Sequence, residues 1–504
     1  KTILYEDSND VSKYVYESKS YINNNIVSSQ YGNISSMNTK SKTLTIKFLY
    51  SYWFITNVVY NNSYLKISRD PQVEKLTMVF KHAENKKGEK PKIKFKEVSV
   101  HKDLQKKINE FDPEIIFWSA LSSHIHGEGE YVNIEHGYNL LKNLNYKGIL
   151  VAGGIQVTAN VEKVFSQFNN IDIFIRGESE FVLLDIANEI NNTNFKLKIN
   201  GIAYQGSNNG IIKNKPQEII SNLDNIPIYD YEIFDKQVFL RPYNGQVVNA
   251  IDYEFSRGCI YTCSYCVETV IQKYYGFEET SKKGALIASK KYLRNKSAKR
   301  IYDELKYYKN KLKIQLVRCQ DTNFLTINPK VLKELEKMMI DNPLDIKLYI
   351  ETRPEGINEK SVSLLKNLGV DGVGMGIELS GEEFRENELN RFTNQDKIIN
   401  AFKLLRENKI NRTSYNIIGL PNQTEISILN TIEFNKLLDP DNITVAFYSP
   451  YLGTNEQKKS TKLDYFKDYE KNVDGQLRSV SSGKLLSIKQ LNYYKENFVN
   501  LVRH

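Results

Sequence analysis

The sequence predicts an α/β protein built from two successive regions of alternating strands and helices, followed by a helical tail. Short apolar runs of strand length recur along the chain, and segments with helical apolar spacing lie between many of them. Parallel strands need long crossover connections, which are usually helices, so this alternation indicates parallel sheets. The 504 residues suffice for two or three domains with sizeable cores.

We assign residues 1–220 to the first region and residues 221–245 to a linker. Its predicted strands share short apolar runs and are Leu76–Phe80, Ile93–Val98, Ile115–Leu121, Ile149–Val151 and Ile171–Ile175. Helical spacing appears at Val132–Leu144 and Val161–Phe168. Gly201–Lys213 predicts a hairpin with Asn209-Gly210 at its turn.

Residues 246–455 repeat the strand-then-helix order more regularly. The six predicted strands are Ile251–Ser256, Lys313–Cys319, Ile346–Glu351, Gly372–Ile377, Thr413–Ile418 and Ile443–Phe447. The five helices predicted between or after them are Ile301–Tyr308, Val331–Met339, Val362–Leu368, Ile398–Leu405 and Ile426–Leu437. This order predicts a partial (β/α)6 barrel, whose chemistry collects at the C-terminal ends of its strands. Residues 456–504 predict a helical extension with an apolar stripe at Ile488, Leu491, Phe498 and Leu501.

Composition excludes several classes of protein. Only four cysteines in the whole chain exclude a disulfide scaffold. A net charge of +9 is a mild basic bias at this length, so we expect Lys-rich runs to be solvated and no nucleic-acid partner. Leu44–Tyr60 carries too many polar residues for a membrane span, and Lys1–Ser20 lacks the apolar run of a signal peptide. We therefore expect a cytoplasmic protein.

Three of the four cysteines, Cys259, Cys263 and Cys266, have the spacing C-x3-C-x2-C directly after a predicted strand. Three thiolates on one loop can hold three irons of a [4Fe-4S] cluster and leave the fourth iron open to another ligand. Structural zinc is the alternative, but it needs a fourth ligand, and no histidine lies between His136 and His504. Three merely buried cysteines are the other alternative.

Several segments that end predicted strands accompany the cysteines in order. They are Arg257-Gly258-Cys259, Gln320–Phe324, Glu351–Arg353, Gly376–Glu378, Ile418–Pro421 and Pro450–Thr454. Together with the cysteines, this arrangement over Ile251–Thr454 resembles the radical S-adenosylmethionine (SAM) superfamily. The resemblance implies that SAM binds the open iron through its amino and carboxylate groups. One electron from the cluster would then cleave SAM to a 5′-deoxyadenosyl radical.

The same resemblance implies residues that contact SAM. Glu351 would accept from the amino group, Glu378 would bind the ribose hydroxyls, and Arg391 would pair with the carboxylate. Asn416 occupies the place of a second ribose contact, and Tyr265 lies between two cysteines in the same cofactor site. These pairings match opposite charges.

Short motifs that contain small residues also end the predicted strands of the first region. They are Ser119 with Leu121, Gly153-Gly154 and Gly177-Glu178. These positions resemble the Rossmann-like cobalamin-binding domain that precedes the TIM-like barrel in one class of radical SAM methyltransferases (class B). Small residues at strand ends allow a ligand to approach the backbone closely. An ordinary doubly wound domain is the alternative.

The D-x-H-x-x-G loop that supplies a histidine ligand to cobalt in other cobalamin proteins is absent before Ser119. The resemblance therefore implies cobalamin without a histidine below the metal. His124 and His126 follow the same strand, and they could face the corrin, contact substrate or lie in a polar loop.

The resemblance implies a cobalamin-dependent methyltransferase that acts on an unactivated carbon of a small molecule or peptide. A donor such as flavodoxin or ferredoxin would supply electrons. The alternative is a radical rearrangement, oxidation or cyclisation in which no methyl passes through the first domain, with or without cobalamin. Methylthio transfer to tRNA is less favoured. It would require a β-rich RNA-binding module after the barrel, whereas the sequence predicts helices in 461–504.

Overall fold

The structure is a computed structural model. It describes residues 15–22, 25–38, 43–47, 58–60, 63–69, 76–82, 100–119, 133–189, 198–234, 236–448, 451, 453–462 and 485–504. The described residues fall into two compact units. The first unit is formed by three segments, which are the described residues up to Pro113, Asn139–Lys147 and Pro242–Val247. The other contains Glu114–Tyr138, Gly148–Arg241 and Val248–His504. The domain boundaries assigned from sequence remain a prediction.

The first unit is largely antiparallel. Its strands and helix are β1 (Val15–Ile22), β2 (Asn25–Asn38), β3 (Thr43–Lys47), β4 (Val58–Tyr60), β5 (Ser63–Arg69), β6 (Leu76–His82) and α1 (Val100–Phe111). They form two three-stranded antiparallel sheets, β1-β2-β3 and β4-β5-β6. The predicted strand at Leu76–Phe80 is confirmed as β6, but its partner is antiparallel because a short connection cannot make a parallel crossover. Ile93–Val98 lies outside the described residues.

A five-stranded sheet opens the second unit. Its strands are β7 (Ile115–Ser119), β8 (Ile149–Gly153), β9 (Ile173–Ile175), β10 (Ile202–Gln205) and β11 (Ile211–Lys213), in the order β11-β10-β9-β8-β7. The helices along this segment are α2 (Asn133–Lys142), α3 (Ile155–Ala159), α4 (Val161–Gln167) and α5 (Glu180–Glu189). Strands β7, β8 and β9 are parallel, whereas β10 and β11 form the predicted hairpin. The α/β prediction is therefore confirmed from β7 onward.

A seven-stranded sheet forms the half-barrel. Its strands, in spatial order, are β12 (Leu240–Tyr243), β13 (Gln246–Tyr253), β16 (Leu316–Cys319), β17 (Lys347–Thr352), β18 (Val370–Glu378), β19 (Asn411–Ile418) and β20 (Asn442–Phe447). Neighbours from β13 to β20 are parallel. All six predicted strands are confirmed to within a few residues. Strand β12 falls in the predicted linker. The turn residues Asn244-Gly245 are the feature of the sequence from which a hairpin of β12 and β13 could have been predicted.

The remaining elements of the half-barrel lie between or beside these strands. They are β14 (Ser256–Arg257), α6 (Glu268–Tyr274), α7 (Ser289–Tyr292), β15 (Arg294–Asn295), α8 (Ala298–Leu312), α9 (Pro329–Asp341), α10 (Glu359–Asn367), α11 (Glu382–Asn387), α12 (Gln395–Glu407) and α13 (Glu425–Leu438). All five predicted barrel helices are present. Asparagine or serine caps begin several of them, as at Ser297 before α8 and Asn358 before α10.

The core of the half-barrel lies between the sheet and its outer helices. On β16 and β17, the side chains of Val317, Cys319, Leu348 and Ile350 belong to this core. Because side chains alternate along a strand, the residues between them point to the inner face of the sheet. This inner face therefore carries Arg318, Tyr349 and Glu351, and Cys319 is the buried thiol that the sequence predicted.

The tail contains the predicted helices, α14 (Asn455–Lys462) and α15 (Ile488–Arg503). Helix α15 buries Leu491, Tyr494, Phe498 and Val502 against β19, β20 and α13. The predicted stripe is wrong at Ile488, which is 46% exposed because the buried face starts one turn later. Among the described residues, no helix has both the length and the apolarity needed to cross a membrane.

Candidate functional site

The cysteine loop lies between β14 and α6, just beyond the C-terminal end of β13. Gly258 opens the loop with φ +92°, and a Cβ there would lie 2.8 Å from the carbonyl oxygen of Tyr292. Only glycine fits this turn. The Gln272 side chain then donates to the carbonyl oxygens of Cys259 and Tyr261, so helix α6 fixes the first part of the loop.

The sulfur atoms sit in a buried and crowded environment. Burial, together with the nearby charges of Glu268 and Cys263, raises the pKa of the Cys259 thiol to about 12. Burial also raises the pKa of Cys266 well above its usual value. Thiols that resist ionisation in this way become thiolates when iron binds, because the cation reverses the local electrostatics. The loop therefore fits an iron–sulfur cluster.

Arg353 places a cation beside this loop. Its Nη1 lies 3.6 Å from the sulfur of Cys263, and its guanidinium stacks 3.8 Å from the ring centre of Tyr261. Glu355 accepts from Nε at 2.5 Å and Thr393 accepts from Nη2 at 2.9 Å, so the guanidinium is held in place. Sequence reasoning placed Arg353 in a strand-end motif but gave it no role.

Asp321 holds the segment that leads into the loop. Its buried carboxylate accepts from the Phe255 backbone at 3.2 Å and from Ser256 Oγ at 2.5 Å. Burial raises the pKa of this carboxyl to about 7, although the Ser256 hydrogen bond opposes the shift. The acidic turn after the second barrel strand therefore anchors the chain three residues before the first cysteine.

We expect Asp321→Asn to change how stability depends on pH. The unfolded carboxyl ionises near pH 4 and the folded one near 7, so between these values the folded protein holds an extra proton. Wild-type stability from this group therefore falls as pH rises from 4 to 7. Urea unfolding at pH 5 and 7.5 measures this. The free energy of unfolding of the variant, relative to that of wild type, should be higher at pH 7.5 than at pH 5. A stability difference that is the same at both pH values would contradict this.

Three predicted SAM contacts lie together at the end of β18. Tyr265 donates its hydroxyl to Glu378 Oε1 at 2.9 Å, and Arg391 Nη1 lies 3.6 Å from the same oxygen. Arg391 also donates to the carbonyl of Gly376 at 2.5 Å. Glu378 has φ +65°, a left-handed conformation that is strained for a non-glycine residue and is common at functional sites.

Arg391 is 4% exposed, and its Nε has no partner among the described residues. Gly376 has no side chain, and a Cβ there would lie 3.2 Å from Arg391 Nη2. The end of β18 therefore presents a carboxylate, a guanidinium and a hydroxyl around a position that lacks a side chain. This donor and acceptor set fits a zwitterionic ligand with a sugar, such as SAM.

Glu351 lies on the neighbouring strand, where it pairs in register with Gly374. Its Oε1 accepts from the Tyr415 hydroxyl at 3.0 Å, and that hydroxyl lies 2.9 Å from the hydroxyl of Tyr349. A Cβ at Gly374 would lie 2.7 Å from ring carbons of Tyr415. The two tyrosines, which sequence reasoning missed, therefore orient Glu351 on the inner face.

Asn416 has different neighbours from the other predicted SAM contacts. Its amide oxygen accepts from Asn435 Nδ2 at 2.8 Å, and its amide nitrogen lies 3.2 Å from Ser414 Oγ. Asn435 belongs to α13, so this buried side chain is engaged with an outer helix. Asn416 is the register partner of Glu378 on the neighbouring strand, and its contact with ribose stays a prediction.

Two predicted cobalamin contacts meet at the C-terminal edge of the five-stranded sheet. Ser119 and Gly153 are register partners at the ends of β7 and β8. Gly154 follows with φ +106° and precedes α3, whose Gln156 is 1% exposed with Nε2 unpartnered among the described residues. Small strand ends and a buried spare donor fit an amide-rich ligand. Leu121, His124 and His126 lie outside the described residues.

Gly177 and Glu178 contact protein groups. The Gly177 backbone donates to Thr158 Oγ1 at 2.8 Å. The carboxylate of Glu178 accepts from Arg294 Nη1 at 2.8 and 3.0 Å and from Arg257 Nη1 at 3.3 Å. Since Arg257 directly precedes the cysteine loop, Glu178 links the loop to the five-stranded sheet. Its contact with cobalamin stays a prediction.

No three cysteine, histidine, aspartate or glutamate side chains in the described part of the chain converge on a point where one metal ion could bind.

Residues 253–434 match the family model of the Radical SAM superfamily. This segment of the chain is a radical SAM domain. The matched segment contains the cysteine loop, Glu351, Glu378 and Arg391. The protein is therefore an enzyme of this superfamily, as the cysteine spacing and strand-end motifs predict.

Two relatives extend the similarity beyond this segment. An uncharacterised methyltransferase of Pyrococcus horikoshii is 27% identical over 353 residues, which cover 70% of each chain. An anaerobic magnesium-protoporphyrin IX monomethyl ester cyclase of Rubrivivax gelatinosus is 26% identical over 382 residues. These cover 73% of this radical SAM protein and 62% of the cyclase. The relatives thus have different named activities.

Solved structures share the fold. The radical SAM methyltransferase TsrM from Kitasatospora setae, with cobalamin and a [4Fe-4S] cluster bound, aligns with a TM-score of 0.58 and 14% identity. The alignment covers 74% of this chain and 72% of TsrM. The cobalamin-dependent SAM radical enzyme OxsB aligns at 0.55 with 15% identity over 81% of this chain and 61% of OxsB. The predicted succession of a Rossmann-like domain, a half-barrel and a helical tail is confirmed.

Proposed function

We propose that this radical SAM enzyme is a cobalamin-dependent methyltransferase acting on an unactivated carbon of a small molecule or peptide. Cys259, Cys263 and Cys266 would hold a [4Fe-4S] cluster. The observation that carries the proposal is the combination of this loop with the Tyr265–Glu378–Arg391 cluster at the end of β18. One element would hold the cluster, and the other would bind SAM.

When bound, the cluster supplies the electron that cleaves SAM, and cobalamin supplies a carrier for its methyl group. The residues of the chain bind and orient these groups. Arg353 places a positive charge beside Cys263, which stabilises its thiolate. Glu351, held by Tyr415, accepts from the ammonium of SAM, and Arg391 pairs with its carboxylate.

Cobalamin would bind at the C-terminal edge of the five-stranded sheet. Ser119 and Gly153 are register partners at this edge, and the spare Nε2 of Gln156 can donate to an amide oxygen. The fold shared with two cobalamin-dependent enzymes supports this assignment. We further propose that no histidine of the chain binds cobalt from below.

Radical cyclisation is the second candidate. The Rubrivivax relative named as a cyclase favours it, since its identity to this chain is almost the same as that of the relative named as a methyltransferase. Both candidates need the cluster and SAM. They differ in whether a methyl group leaves SAM and travels through the N-terminal part of the chain.

Anaerobic reconstitution of the full chain tests the proposal. We expect stoichiometric cobalt together with iron and sulfide, and both S-adenosylhomocysteine and 5′-deoxyadenosine as products of SAM. Ser119→Tyr should block cobalt uptake and leave the cluster intact. The control Ser207→Tyr, at an exposed hairpin turn, should leave both cobalt uptake and the cluster unchanged. A wild-type protein with a cluster that cleaves SAM but takes up no cobalamin would reject methyl transfer by this route.

We expect Glu351→Gln and Arg391→Lys to weaken SAM binding and retain the cluster. Loss of one charge-assisted contact costs about 1.5–3 kcal/mol, or roughly 10- to 100-fold in affinity. Isothermal titration of reconstituted protein with SAM measures this, and Glu407→Gln on the exposed end of α12 is the control. If neither variant loses affinity, the assignment of these two residues is wrong.

Reduction of the cluster needs an electron donor, and we propose a cytoplasmic flavodoxin or ferredoxin. Either protein can deliver one electron at a low potential. Purified flavodoxin with its reductase and NADPH should support SAM cleavage by the reconstituted enzyme. If dithionite supports SAM cleavage but neither flavodoxin nor ferredoxin does, this class of partner is rejected.

A further inference from the structure

The inner face of the half-barrel carries an arginine, Arg318, whose ion pair with a neighbouring carboxylate is long, at 4.0 Å. Arg318 lies on β16 between Val317 and Cys319, whose side chains enter the core on the opposite face. In register, Arg318 lies between Asp252 on β13 and Tyr349 on β17. Paired strands are about 4.8 Å apart, so these three residues form one row across the inner face.

Asp252 is the acidic residue in this row, and other groups already engage its carboxylate. Arg241 Nη2 lies 3.1 Å from its Oδ2, and Gln320 Nε2 donates to its Oδ1 at 2.8 Å. Arg318 Nε is 4.0 Å from the same Oδ1, which is too long for a hydrogen bond. The Asp252 carboxylate is therefore bonded mainly to Arg241 and Gln320, and it holds Arg318 by the long ion pair alone.

The Arg318 side chain is only 22% exposed, and its guanidinium donates no hydrogen bond to the described part of the chain. No Arg318 nitrogen is among the buried atoms of the described residues that lack a partner, so its N–H groups are accessible and can donate to a ligand. A carboxylate matches the planar geometry of a guanidinium through two parallel hydrogen bonds.

We propose that Arg318, with Arg241 beside it, binds a carboxylate of the enzyme's substrate. This inference rests on the proposed function and adds the substrate class. Tyr349 connects the row to the proposed SAM site, because its hydroxyl contacts Tyr415, which donates to Glu351. Arg391, on the loop between α11 and α12, serves SAM's own carboxylate in that proposal, so Arg318 is available for a different molecule.

The test compares acids with their neutral forms on the reconstituted enzyme. The probes are N-acetyl-L-tryptophan against its amide, and magnesium-protoporphyrin IX monomethyl ester against the dimethyl ester. Isothermal titration should show at least one acid binding about 10- to 100-fold tighter than its neutral form. Arg318→Gln should remove that preference, Arg318→Lys should restore part of it, and Arg406→Gln should match wild type. Arg406 is half-exposed on α12 and carries the same charge.

Two outcomes would overturn the inference. In one, the wild-type enzyme does not distinguish either acid from its neutral form. In the other, Arg318→Gln keeps the preference in full. Iron content and SAM cleavage are measured on the same preparations. Normal SAM cleavage without acid preference rejects the carboxylate site alone, whereas absence of a cluster rejects the proposed function itself.

Discussion

Cys263→Ala is expected to abolish both the iron–sulfur cluster and SAM cleavage. Cys263 is 7% exposed in the middle of the cysteine loop, and Arg353 lies beside its sulfur. Without this thiolate, only two of the three proposed ligands remain, and the buried guanidinium of Arg353 loses its contact with the loop sulfur. Iron and sulfide analysis, the visible absorbance of the cluster and 5′-deoxyadenosine formation measure the result. Cys259→Ala and Cys266→Ala should behave in the same way.

Cys319→Ala is the matched control. Its thiol is also buried, at 2% exposure, but it packs in the core between the sheet and the outer helices. We expect this variant to keep full cluster content and SAM cleavage with a modest loss of stability. Loss of the cluster from Cys319→Ala would mean that the ligands are misassigned. A Cys263→Ala protein that still cleaves SAM would refute the cluster assignment.

Glu304→Ala is expected to lower the free energy of unfolding by about 3–5 kcal/mol, because it leaves a buried charge unpaired. Lys296 Nζ lies 2.9 Å from Glu304 Oε2, and the two side chains are 2% and 3% exposed. Tyr253 and Arg300 also contact the Glu304 carboxylate. Burial lowers the pKa of Lys296, so the protein can relieve part of the cost by releasing its proton.

Urea unfolding of the wild type and of three variants measures this effect. Asp303→Ala, on the neighbouring exposed position of α8, removes a carboxylate paired with the exposed Lys299 and should cost no more than about 1 kcal/mol. The double variant Lys296→Met/Glu304→Leu should recover most of the loss, because it removes both charges and keeps the volume. A Glu304→Ala protein as stable as Asp303→Ala would show that the pair contributes nothing.

The cysteine loop is held by residues that come from three distant parts of the chain. Asp321 fixes the segment before it, Glu178 binds the adjacent Arg257, and Arg353 contacts Cys263. Each contact is a charged or charge-assisted hydrogen bond away from bulk water, where such bonds are strong. These contacts position the loop in the protein before any cofactor binds.

The sequence by itself determined the local parts of this protein. The C-x3-C-x2-C spacing, the strand-then-helix order from Ile251 to Phe447 and the hairpin at Gly201–Lys213 all depend on residues close in the chain. Their signals are alternation, helical periodicity and turn residues, which are short-range properties. The amphipathic tail helix was predictable for the same reason, although the exact buried face was not.

Tertiary structure alone decided which side chains meet. Arg353 lies 90 residues from Cys263, and Arg257 lies 79 residues from Glu178, so no local pattern could pair them. Strand register placed Arg318 on the inner face beside an aspartate already engaged by Arg241. Packing against α13 turned the Asn416 amide to an outer helix. Long-range contacts depend on register and crossover geometry, which the whole sheet fixes together, and this is why single positions in the sequence could not reveal them.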